Sequence, residues 1–103
     1  MTAHQTPIQI HPTERFYLSF DVFCSEVGDG ALAVGQLTDA IARLASDFRP
    51  DNTEPSGASG DTFTHWIGDQ YGIRYRIETD RDENKKPLLV HVRLLNIERR
   101  SAD

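Results

Sequence analysis

Cysteine is all but missing from this chain of 103 residues: Cys24 stands alone, so no internal disulfide can form, and a reducing, cytoplasmic setting is expected. Alone and on an apolar phase, it reads as a small buried hydrophobe. No apolar run approaches the roughly 20 residues that a membrane helix needs, so no membrane role is expected. The opening MTAHQTPIQIHP has neither a basic start nor an apolar core, and no secretory signal is expected. The Gly/Ser-rich stretch at 51–61 lacks the lysine of a phosphate-binding loop. The acids at 79–87 lack the glycine and frame of a calcium loop. No serine sits in a nucleophile elbow. His4 and His11 have no carboxylate or cysteine spaced to share an ion with them. No cofactor and no metal are expected.

What is present suits one small domain with a modest core: 38% hydrophobic and 26% charged residues. The net charge of −5 is unevenly spread. Residues 1–71 hold three basic and ten acidic side chains, whereas residues 72–100 hold eight basic and five acidic. A mildly basic C-terminal part can attract an acidic partner. The acidity of the whole argues against strong non-specific nucleic-acid binding, which needs dense Lys/Arg patches.

The C-terminal third organises the chain. Residues 63–67 and 71–78 read as strands split by Gly68-Asp69-Gln70. In the second, Ile73, Tyr75 and Ile77 alternate with Arg74, Arg76 and Glu78. Residues 88–97 are apolar on both phases, which predicts a central strand covered on both sides, after a solvated charged turn at 79–87. Upstream, Phe16, Leu18, Phe20, Val22 and Cys24 alternate through residues 14–25 and predict a first strand. Gly28-Asp29-Gly30 breaks it, with Asp29 placed as a helix N-cap. One helix is expected over 31–48, its core stripe Val34, Leu37, Ile41, Leu44 and Phe48, ended by Arg49-Pro50. Residues 50–62 are expected as a mobile loop, residues 1–13 as a flexible tail despite Ile8 and Ile10, and 101–103 as a disordered end. The fold class is α+β, one main helix packed on a small, mostly antiparallel sheet in the order β-α-β-β-β.

The side chains that could carry function are His65, Trp66, Tyr71, Tyr75, Arg74, Arg76, His91, Arg93, Arg99 and Arg100. Should the phases of the two last strands coincide, Arg74, Arg76, His91 and Arg93 would gather into one patch able to hold a phosphate or an acidic helix. No nucleophile–base pair is legible.

The order and spacing of these segments resemble the RelE/ParE superfamily of toxins from toxin–antitoxin operons. The likeness runs over roughly residues 15–100, through FYLSF, LTDAIARLASDFRP, WIGDQYGIRYRIETD and LLVHVRLLNIERR. It implies a bacterial protein whose partner is an antitoxin or a target enzyme, with ribosome or RNA as targets of its mRNA-cleaving members. It also implies two helices as a hairpin after the first strand, and here the sequence departs from it: FYLSF reads as that strand, and the alternation through Cys24 leaves one good helix. The cleaving members carry basic residues on the second strand, an arginine after the tyrosine of the third and a tyrosine or histidine near the C-terminus. Here the second strand offers His65, Gly72 follows Tyr71, and only Arg99 and Arg100 fall near a matching basic position. The resemblance therefore implies binding rather than RNA cleavage. Two other functions fit the residues. One is an inhibitor or immunity protein using Glu26, Asp29, Asp39, Asp47, Asp51 and Glu54 against a basic site. The other is a nuclease using His65, His91 and Arg93. An exposed edge at 63–67 would permit a homodimer by strand addition.

Overall fold

The computed structural model describes residues 6–28, 30–68 and 71–99. The chain is α+β. It runs β1 (Ile8–Pro12), α1 (Glu14–Val27), α2 (Gly30–Ser46), β2 (Thr53–Pro55), β3 (Thr62–Ile67), β4 (Tyr71–Arg81) and β5 (Pro87–Arg99). The sheet order is β1-β5-β4-β3-β2, with β1 parallel to β5 and the other pairings antiparallel. The helices lie on one face, α1 over β5 and α2 over β1 and β3.

The largest departure from expectation is residues 14–25, a helix where alternation predicted a strand. Thr13 is extended and its Oγ1 accepts from the Phe16 amide, while Gly28 closes the helix in the left-handed region at φ 76°. Between these caps Phe16, Phe20 and Phe23 recur at helical spacing. Phe16 and Phe23 are buried together, which a strand would not allow, whereas Leu18 and Val22, which a strand would have buried beside Phe16, are 63% and 58% exposed. The alternation was real, but the caps and the aromatic spacing decide the outcome.

The α2 stripe is shifted by one position. Ala33, Leu37, Ala40 and Leu44 are buried, Ile41 packs at the margin, and Val34 and Phe48 are exposed. Two alanines let the helix approach the sheet closely, and Val34 lies off the line they set. Asp29, expected as its N-cap, lies outside the described residues, as do residues 101–103.

The expected tail contains β1. Ile8 and Ile10 pair opposite Val90 and Val92 and pack against the core. Likewise the expected 50–62 loop contains β2, which pairs with β3 through Thr53↔His65 and Pro55↔Phe63. That pairing covers residues 63–65 of β3, and the Trp66 amide donates to the Asn52 carbonyl, so most of the edge expected to accept a second copy by strand addition is already occupied. Finally, the described elements cover β5 on one side only. A bulge skips Leu95, so that Leu94 opposes Tyr75 while Asn96 opposes Arg74. The bulge returns Ile97 to the helix side, opposite Ile73 and against the core.

Candidate functional site

The register fixes which side chains share the uncovered face. Arg76 opposes Arg93, Arg74 opposes Asn96, and Glu78 opposes His91. On the flanks Thr62 and Thr64 oppose Arg76 and Arg74, Glu54 opposes Thr64, and Gln9 and His11 oppose His91 and Arg93. The phases of β4 and β5 therefore coincide, and Arg74, Arg76, His91 and Arg93 stand on one face that no described helix or strand covers.

The arginines there are compensated. Arg93 Nε lies 3.2 Å from Glu78 Oε2. Arg76 Nε lies 3.3 Å from Asp61 Oδ2 and 3.8 Å from Glu78 Oε1, and Arg74 Nε lies 3.7 Å from Glu98 Oε1. Hydrogen bonds from Ser59 and Thr62, together with the Arg76 charge, hold the Asp61 carboxyl below the usual carboxylate value against the opposing effect of burial. Counting Glu54, Asp61, Glu78, Asp80 and Glu98 against Arg74, Arg76 and Arg93, the face is net −2 with its histidines neutral. This is a mixed ladder that discriminates by charge pattern. It does not concentrate positive charge as a phosphate-binding surface does.

Trp66 lies on the same face, its Nε1 donating to Glu54 Oε1 at 2.8 Å. It opposes Gly72, and its indole covers the space a side chain there would take. A β-carbon on Gly72 would stand 2.7 Å from both Trp66 Cε3 and Thr64 Cγ2. Gly72→Ala is therefore expected to cost about 1–3 kcal/mol by overpacking. Urea denaturation measures this, and unchanged stability would contradict the packing.

His65 does not join this site. It alternates to the helix side, where it is 1% exposed, with Nδ1 3.2 Å from Thr53 Oγ1. Burial first, then the Arg43 charge, lowers its pKa below the usual 6.5, opposed by a hydrogen bond from the ring to the Asp51 backbone. In the unfolded chain this imidazole takes up a proton at a higher pH than in the folded one. Its contribution to stability is thus present above pH 6.5 and is lost as pH falls from there through the folded-state value. The melting temperature should fall over that window, and His65→Gln should flatten the fall relative to its own value at neutral pH. An unaltered slope would remove the assignment.

The remaining candidates are elsewhere. Tyr75 is wholly buried in the core. Tyr71 and Arg99 line a shallow groove against α1, with Tyr71 Oη donating to Glu26 Oε2 at 3.3 Å. Arg100 and Asp29 lie outside the described residues. The grouping of His65, His91 and Arg93 as a nuclease is not assembled, because the sheet separates His65 from the other two. Nor do the acids of the inhibitor reading share one surface: Glu26 ends α1, Asp39 sits on α2, and Glu54 faces the open side of the sheet.

Two neighbours of His91 were not among the expected site residues. Asp80 Oδ2 accepts from His91 Nε2 at 2.7 Å, and His11 Nε2 lies 2.8 Å from His91 Nδ1. The signal that could have located His11 is the alternation of Ile8 and Ile10 against Gln9 and His11. No protein-family model, curated protein or solved structure matches this chain.

Proposed function

We propose that the chain is a small macromolecule-binding protein of RelE/ParE type that works through its open sheet face, with a protein segment as partner. The observation that carries this reading is the placement of Arg74, Arg76, His91 and Arg93 together on the sheet face that no described helix or strand covers. FYLSF, which the resemblance takes as the first strand, lies in α1; with β1 in that place the chain has the helical hairpin α1–α2 that members of that family carry, and this supports the reading further. The net negative, alternating charge of the face favours a polypeptide carrying both signs over RNA. An antitoxin segment or an acidic and basic patch on a target enzyme has that chemistry.

The test is growth on induced expression in a bacterial host, with a His91→Ala/Arg93→Ala double variant alongside. The expected result is arrest that the double variant relieves. Healthy growth with abundant intact protein would remove the toxin reading and leave a binding or inhibitor role.

A further inference from the structure

The geometry points to a two-histidine site for a divalent cation of the zinc, nickel or copper class, formed by His11 of β1 and His91 of β5. It shares His91 with the partner reading but does not depend on it, and it rests on three features of the open face.

The first is convergence. His11 Nε2 and His91 Nδ1 face each other at 2.8 Å, with ring centroids 5.0 Å apart. Two imidazole nitrogens bound tetrahedrally at about 2.0–2.1 Å from one ion stand roughly 3.3 Å apart. Opening the pair by about half an ångström would admit the ion in place of the hydrogen bond. The second is orientation. Asp80 accepts from His91 Nε2, which fixes the tautomer that leaves Nδ1 free as a lone-pair donor. A carboxylate behind a ligating imidazole is how metal sites hold their histidines and raise their basicity. A neutral His11 needs only to carry its proton on Nδ1 instead of Nε2, so binding releases no net proton when both rings are neutral. The third is charge. The face is net negative, and Glu78 and Asp80 flank His91, while the neighbouring cations Arg93 and Arg76 are both already paired with Glu78.

Among the described residues no group of three His, Cys, Asp or Glu side chains gathers to hold an ion, so water completes the coordination. Imidazole donors favour zinc, nickel and copper over magnesium and calcium. An ion bound here would clip β1 to β5 across 80 positions of sequence, stabilising the docking of the N-terminal strand.

The experiment is thermal unfolding of the untagged protein with EDTA, Mg2+ or Zn2+, on wild type and on His11→Gln, His91→Gln, Asp80→Asn and His4→Gln. Each variant's own melting temperature in EDTA is its reference, so changes in baseline stability do not enter. Saturating Zn2+ should raise the wild-type value by about 4–8 °C, while Mg2+ leaves it unchanged. Either His11→Gln or His91→Gln should abolish the rise. Asp80→Asn should weaken the affinity roughly tenfold or more, and His4→Gln should change nothing. No rise with Zn2+, an equal rise in His91→Gln, or a loss in His4→Gln would each overturn the site.

Discussion

Tyr75→Ala should destabilise the protein by about 3–5 kcal/mol, the usual cost of removing a large buried aromatic, and leave little of the stability a small domain has. Tyr75 is wholly buried at the centre of β4. Its ring lies 6.0 Å from that of Phe63, and its Oη donates to the Phe48 carbonyl at 2.6 Å. That bond ties the segment after α2 to the sheet from beneath, satisfying a carbonyl beyond the last helical turn. Tyr75→Phe keeps the ring and loses only this bond, so it should cost about 1–2 kcal/mol. Urea denaturation separates the two, and equal costs would contradict a dominant packing role. Burial chiefly pushes the phenol up to about 12 from 10.0. The folded chain thus resists the phenolate that the unfolded chain forms, so the stabilisation is complete below pH 10 and lost as pH rises through 12. Tyr75→Phe should abolish that alkaline loss.

Charge reversal at Arg76 and Arg93 should be as severe for binding as Tyr75→Ala is for folding. In the native ladder the two guanidiniums bracket Glu78, and Arg76 also meets Asp61. Their side chains are 51% and 43% exposed. Pairs this open contribute about 0–1 kcal/mol each, so Arg76→Glu/Arg93→Glu should fold. The face, however, would pass from net −2 to net −6 and meet the partner's acidic groups with repulsion. Partner affinity should fall by about 3 kcal/mol or more, roughly a hundredfold in Kd. Unchanged affinity in a folded double variant would remove the face from the interaction. A nucleic-acid partner would instead show a steep loss of affinity with added salt.

The sheet side of this architecture was legible because β4 speaks plainly: Ile73, Tyr75 and Ile77 against Arg74, Arg76 and Glu78 admit one phase only. The placement of the arginine patch followed from it. The helix side was legible only in part. Phe16 to Cys24 satisfies period two and, through Phe16, Phe20 and Phe23, helical spacing as well, and only the caps at Thr13 and Gly28 separate the two. The bulge at Leu95 made a strand with one covered face look like one with two, since it reverses the phase of everything after it. The contacts that build the open face beyond the patch are non-local. His11 meets His91 across 80 residues and Trp66 meets Glu54 across 12, and no local pattern announces either.

The most direct measurement is photo-crosslinking in growing bacterial cells from a reactive residue placed in turn at Gln9 and Asn96 on the open face and at Leu18 and Asp39 on the helix layer. None of these four carries an ion pair of the arginine ladder, so the surface under test stays intact. The account predicts a discrete protein adduct from Gln9 and Asn96 and none from Leu18 or Asp39. An adduct from the helix layer alone would contradict it.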